Sequence, residues 1–359
     1  MGAGSRDTRP RQGRGAAGQP ANRYAAVRRD AQDDGWGLAD EPLAPLPTTL
    51  TAERARSVIS YNRSPDVGFD RSINPYRGCE HGCAYCFARP THAYLDLSPG
   101  LDFESRLFHK PDAPEILRRE LAARGYRPAP IAVGINTDSY QPVERQLQLT
   151  RRILEVLVEC RHPFTIVTKS ALIERDLDLL AEAAARNGVS VMFSFSTLKR
   201  GLARRLEPRA AAPERRLEAL ARLAQAGVPV GVLAAPCIPG LTDEELDAIL
   251  SEARAAGASS AAYVLLRLPL EVREIFQEWL REHEPLREER VMSLIRGAHE
   301  GREYDASFGQ RMTGTGVYAD MIAQRFRLAV RRLGFGAGPE LDCGAFRPPA
   351  RFQGQMSLL

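Results

Sequence analysis

From about residue 113 to residue 270, apolar runs of strand length alternate with stretches whose apolar residues recur at helical spacing. Strands are expected near 130–136, 164–168, 189–196, 228–235 and 261–268, with a first strand at about 71–77. Helices are expected around Ile116, Leu117 and Leu121, and near 143–161, 171–187, 199–206, 213–226 and 243–256. Asn187-Gly188 reads as a helix stop, and Thr242 with Glu245 three residues on reads as a capping box. Strands apolar on both sides, each followed by a helix, form a parallel sheet covered on its faces. Six βα units point to an α/β fold, a partial TIM-like (β/α)6 barrel rather than a doubly wound sheet.

The rest of the chain frames this core, which spans 51–270. A C-terminal helical extension is expected over 271–335, with helices near 270–283, 286–298 and 315–333. Residues 336–359 read as an extended tail, rich in Gly and Pro. Residues 1–50 are rich in Gly, Arg, Ala, Asp and Pro, and too poor in apolar residues to offset ordering entropy. They are expected to form a disordered N-terminal tail, whose Arg6, Arg9, Arg11 and Arg14 are solvated or touch nucleic acid.

The chemistry concentrates in Asn74–Arg89, where Cys79, Cys83 and Cys86 are spaced C-x3-C-x2-C. Gly78 and Gly82 let the backbone curl so that three sulfurs converge. Three thiolates on a four-iron, four-sulfur (4Fe-4S) cluster leave one iron free for an outside ligand. A zinc site is the competing reading, with His81 or His92 as fourth ligand. His92, Asp96 and Asp102 otherwise read as surface or capping groups. Six cysteines, three of them clustered, suit a metal in a reducing, cytoplasmic setting better than disulfides. A net charge of +4 permits a nucleic-acid partner without demanding one, and no apolar run is long enough to cross a membrane.

The run Cys79-x3-Cys83-x-Tyr85-Cys86 resembles the signature of radical S-adenosylmethionine (SAM) enzymes. The resemblance covers roughly 70–300 and implies a 4Fe-4S cluster whose open iron binds the amino and carboxylate groups of SAM. It further implies reductive cleavage of SAM to a 5′-deoxyadenosyl radical that attacks a substrate. An electron donor such as flavodoxin or ferredoxin would then be a partner, and the barrel assignment is strengthened. Tyr85 would pack against the cluster or a bound adenine.

The βα loops of a barrel meet at the C-terminal strand ends, so residues there should line the site. Thr137, Asp138 and Ser139 follow the second strand, at the position the resemblance implies for the SAM amino group; the alternative is a polar turn that caps the next helix. The stretch Thr137-Asp-x-Tyr-Gln-Pro-x-Glu144 resembles the branch containing spore photoproduct lyase. In that branch Lys169 matches a lysine that helps hold SAM, and Ser194 or Ser196 matches a serine that touches it. The run from Pro236 to Asp243 resembles the adenine-side motif, with Ile238 offering apolar contact and Gly240 a close backbone approach. Photoproduct lyases carry a donor cysteine near the second strand; here Gly134–Tyr140 has none, which argues against thymine-dimer repair.

Three expectations stand apart from these. Cys237, at the expected barrel mouth, is the candidate catalytic thiol for hydrogen relay, against a packing role. Arg267, ending the sixth strand, is read as meeting the SAM carboxylate, an anionic substrate or a surface carboxylate. The terminal Gln355-Met356-Ser357-Leu358-Leu359 resembles the peptide by which bacterial repair and replication proteins bind the DNA sliding clamp. The alternative to an enzyme is a non-catalytic zinc or iron–sulfur module that docks on replication or repair machinery.

Overall fold

The computed structural model describes residues 13–24 and 46–349. The clamp-like peptide ending at Leu359, and Arg6, Arg9 and Arg11, lie outside the described residues. Ten strands occur in chain order: β1 (Thr49–Ala52), β2 (Ile59–Tyr61), β3 (Arg71–Ile73), β4 (Tyr76–Arg77), β5 (Arg106–His109), β6 (Ile131–Val133), β7 (Phe164–Thr168), β8 (Val189–Phe195), β9 (Val230–Cys237) and β10 (Ser260–Leu265). Seven of them form one sheet in the order β10-β9-β8-β7-β6-β3-β2. All its neighbouring pairs are parallel except β2 on β3.

This is an open, partial barrel of six parallel strands, with β2 added at one edge. Ile131, Val133, Phe164, Ile166, Val191, Phe193 and Val232 have no exposed surface and form the centre of the main core. The two free edges, β2 and β10, are bridged by loops: Asp66, past β2, accepts from the Gly309 amide at 2.6 Å and from the Arg311 guanidinium. Met312 O accepts the Leu265 amide at 2.9 Å, which occupies the outer edge of β10.

Several expected elements are divided. The strand expected over 71–77 is two strands, β3 in the barrel and β4 in a small sheet ordered β1-β5-β4. Pro75 separates them, since it supplies no amide for a barrel ladder. The helix expected over 143–161 is Glu144–Leu147 followed by Leu149–Glu159, broken at Gln148 with φ +46°. The Glu144 carboxylate accepts the Thr150 amide at 3.0 Å, so it satisfies a free N–H of the second helix. The expected capping box is absent. Thr242 Oγ1 accepts the Ile238 amide at 2.9 Å, while Glu245 turns to Thr197 and Leu198. His92, expected at the surface or in a cap, is fully buried beneath β5, with Nε2 2.9 Å from Arg106 O.

Two helices of the extension, Val272–His283 and Glu288–Gly297, wall the strand ends. Phe276, Trp279, Val291 and Ile295 share one hydrophobic cluster with Cys83, Tyr85 and Ile238. The helix Val317–Leu333 instead lies on Leu246–Ala255, where Arg325 and Arg332 both pair with Asp247 at 3.1 Å. Residues beyond it cross the opposite end of the barrel, where the Asp342 and Arg347 amides bond to Asn187 O and Cys160 O.

Residues 13–24 belong to the segment expected to be a tail, yet they pack on the cysteine loop. The Gly15 and Ala16 amides both donate to the buried Glu104 carboxylate, at 2.9 and 2.8 Å. Arg14 donates to Glu104 O and Leu46 O, so it serves the fold.

Candidate active site

The cysteine loop leaves β4 and curls at Gly78 (φ +78°) and Gly82 (φ +66°), conformations that cost a residue with a Cβ. A Cβ on Gly78 would also lie 2.6 Å from Leu107 and 2.8 Å from Phe103 O. Arg89 is fully buried and gathers the turn from inside: Nε donates to Cys83 O at 2.9 Å, Nη2 to Gly82 O at 3.1 Å, and Nη1 to Gly100 O at 2.9 Å. Cys79 and Cys83 are buried in separate apolar clusters, and Cys86 packs against both. Burial pushes all three thiols up, with Asp138 adding to the effect at Cys79 and Glu207 at Cys83.

The strand ends meet this loop through polar groups. Gln141, in the β6 turn, accepts the Glu80 amide at 2.9 Å and donates to Gly78 O at 3.2 Å. Asp138 accepts from Thr168 Oγ1 at 2.8 Å and from the Lys169 amide at 2.7 Å, with His81 Nδ1 3.4 Å away. Thr137 Oγ1 donates to Tyr76 O at 3.1 Å. Ser139 is fully buried and its Oγ has no partner among the described residues. Lys169 Nζ donates to Ser194 Oγ at 2.5 Å and to Ala235 O at 3.2 Å, so it joins the ends of β7, β8 and β9. Its Nζ also sits 5.9 Å from the Tyr85 ring centroid.

The centre of this network is Glu207, which the sequence did not single out. Its buried carboxylate accepts from the Tyr85 hydroxyl, from Ser196 Oγ at 2.7 Å and from the Arg216 guanidinium, and lies 3.8 Å from Lys169 Nζ. Burial opposes its charge, but Arg216 and Lys169 outweigh burial and hold the carboxyl down at about 2. No local pattern marks Glu207 or Arg216: their partners lie at irregular separations, from 5 residues for Arg216 and Ala211 to 122 for Glu207 and Tyr85.

Ile238 has no exposed surface and packs in the cluster that holds Cys83 and Tyr85. Gly240 (φ +75°) lies against the helix Glu288–Gly297, where a Cβ would meet Leu294 at 2.9 Å. Arg267 stacks on Phe87, next to the third cysteine, with 4.9 Å from guanidinium carbon to ring centroid. Its polar neighbours are Tyr304 at 3.4 Å and Met312 at 3.6 Å; no carboxylate among the described residues pairs with it, and its Nε is buried without a partner.

A family model described as the radical SAM superfamily matches residues 73–253. An uncharacterised protein of Mycobacterium tuberculosis is 37% identical over 288 residues, covering 77% of this chain and 85% of the relative. The chain belongs to the radical SAM superfamily. Among solved structures, a spore photoproduct lyase mutant aligns with TM-score 0.56 at 13% identity, over 82% of this chain and 86% of that one. A second such mutant, solved with bound AdoMet and dinucleoside spore photoproduct, aligns with TM-score 0.52 at 15% identity, over 81% and 84% of the two chains. These two likenesses show a shared fold.

As a radical SAM enzyme the chain is implied to carry a 4Fe-4S cluster and SAM. The donors fit: three soft thiols on one glycine-curled loop, with the unpartnered Ser139 hydroxyl and Lys169 among the strand-end residues. Among the described residues, no three His, Cys, Asp or Glu side chains are set as the ligands of a single metal ion. A cluster spaces its cysteines more widely, since each sulfur binds a different iron. His92, named as a zinc ligand in the competing reading, is engaged with Arg106 O.

Cys237 is not part of this polar network. It is buried in the core between sheet and helices, beside Leu246 and Ile249 of the following helix, and burial pushes its thiol up to about 12. The sequence placed it at the mouth from its position past the strand. The observed β9 ends at Cys237, which stands at the C-terminal strand end as the sequence places it, and its register against β10 shifts between Tyr263 and Leu265.

Proposed function

We propose that this radical SAM enzyme binds SAM between the cysteine loop and the ends of β6 to β9, and there initiates radical chemistry on a substrate. The observation that carries this reading is the position of Lys169, whose ammonium joins three strand ends and faces Tyr85 of the cysteine loop. Cys79, Cys83 and Cys86 would hold the cluster. A cluster held there supplies the electron for reductive cleavage of SAM to methionine and a 5′-deoxyadenosyl radical. The residues of the chain bind and orient: Thr137, Asp138 and Ser139 toward the SAM amino group, Lys169 and Ser194 toward its carboxylate, Ile238 and Gly240 toward the adenine. The extension helices exclude water from that side through Phe276, Trp279 and Val291.

Arg267 suits an anionic group of the substrate, as a phosphate of nucleic acid would present. It is a cation beside the cysteine loop without a described carboxylate partner. The reductant in this reading is a flavodoxin or ferredoxin. Anaerobic reconstitution with iron and sulfide, followed by reduction with SAM present, tests the proposal. It expects a redox-active cluster and 5′-deoxyadenosine. A protein that retains only zinc, or loads a cluster yet never yields 5′-deoxyadenosine, rejects it.

A further inference from the structure

Glu207 follows the helix Arg200–Leu206, in the connection that leads to the helix Pro213–Gln225. This connection is laced along the cysteine loop. The Ala84 amide donates to Leu206 O at 3.0 Å, and the Arg209 amide donates to His81 O at 3.3 Å. The Arg209 guanidinium pairs with Glu80 at 3.0 Å. Glu207 lies between these ties and divides its two oxygens. Oε2 takes the Arg216 guanidinium; Oε1 takes Tyr85 and Ser196 and lies 3.8 Å from Lys169 Nζ.

Arg216 is fixed in turn, donating Nη1 to Ser194 O at 2.9 Å and Nε to Ala211 O at 2.7 Å. The Ala211 amide donates to Lys169 O at 3.2 Å. Burying a carboxylate is unfavourable unless its partners are fixed, and a packed apolar residue stabilises a core more simply. We infer that Glu207, clamped by Arg216, is a positioning residue that sets the cysteine loop, through Tyr85, at a fixed distance from Lys169 and Ser194. The inference rests on the reading in which Lys169 holds the SAM carboxylate. Glutamine has nearly the same volume and can still hydrogen-bond on both sides, but it carries no charge, so Arg216 and the Lys169 ammonium lose the anion set between them.

The test uses the full-length protein and Glu207→Gln, both reconstituted anaerobically. Iron and sulfide content, the SAM dissociation constant, and the electron paramagnetic resonance spectrum of the reduced cluster with and without SAM are measured. Glu207→Gln should keep its cluster but bind SAM about tenfold to a hundredfold more weakly, with a smaller SAM-induced spectral change. In a Lys169→Met background the same substitution should add little further loss, because the two residues act on one contact. Wild-type SAM affinity and spectral response in Glu207→Gln would overturn the inference. Should that variant fail to hold a cluster, Tyr85→Phe and Ser196→Ala decide: unchanged SAM affinity in both overturns it, and weakened affinity in Tyr85→Phe supports it. A wild-type protein that loads a cluster but binds no SAM removes the reading beneath the inference, whereas normal wild-type binding with an unaffected variant removes the inference alone.

Discussion

Arg89 and Glu104 face each other at 2.5 Å with no exposed surface on either side chain. Arg89 holds the backbone of the cysteine loop, and Glu104 holds the amides of Gly15 and Ala16. The pair therefore fastens the loop and the N-terminal segment to each other. Removing one partner leaves a buried charge uncompensated, which costs about 3–5 kcal/mol. Arg89→Met should lower the denaturant midpoint accordingly and reduce the iron retained per chain. A variant with wild-type stability and iron content would show that the loop is held by other means.

Gly15 lies so close to the loop that a Cβ there would be 1.7 Å from Gly82 O. Gly15→Val should therefore expel residues 13–24 from their seat while leaving the barrel folded. Limited trypsin digestion should then cut after Arg14 and Arg23 faster than in the wild type, with little change in circular dichroism. Equal cleavage rates in the two proteins would count against this packing.

His162 predicts a pH dependence of stability. Its Nδ1–H donates to Pro163 O at 2.9 Å, and its Nε2 accepts the Tyr126 hydroxyl at 2.8 Å, so the neutral ring is the bound form. Burial, with a smaller effect of Arg71, lowers its pKa from 6.5 to about 4. Above pH 6.5 both folded and unfolded forms are neutral there. Below that value the unfolded chain takes up a proton that the folded chain refuses, so stability falls as the pH drops and levels off near pH 4. The full loss is about 3 kcal/mol at 1.36 kcal/mol per pKa unit. Urea midpoints between pH 7 and 4 should show this slope, and His162→Gln should flatten it.

Cys237 is packed in the core beside Leu246 and Ile249 of the following helix. Cys237→Ala should cost about 1–2 kcal/mol of stability, the usual range for a small core deletion. Formation of 5′-deoxyadenosine from SAM should survive it. Loss of that product at full cluster loading would return the thiol to the chemistry.

The order of elements was legible in the sequence, because parallel strands buried on both faces need continuous apolar runs and their connecting helices need apolar residues at helical spacing. Strand β7, at Phe164–Thr168, falls where its apolar run predicts, and the three extension helices lie within a few residues of their expected limits. The cysteine loop was legible for a similar reason: its ligands and its two glycines are neighbours in the chain. Lys169 and Ser194 were found by resemblance, and the structure places them in contact at 2.5 Å.

What the sequence could not supply were relationships across long separations. Glu207 reaches Tyr85 across 122 residues, Glu104 reaches Gly15 across 89, and Tyr318 reaches Asp243 across 75. Such contacts carry no period and no spacing rule; they exist only once the strands are in register and the helices have packed. Local chemistry set which elements form and where the thiols sit. Tertiary packing alone decided which carboxylates are buried, what neutralises them, and that a segment poor in apolar residues is held against the cysteine loop by hydrogen bonds to one buried glutamate.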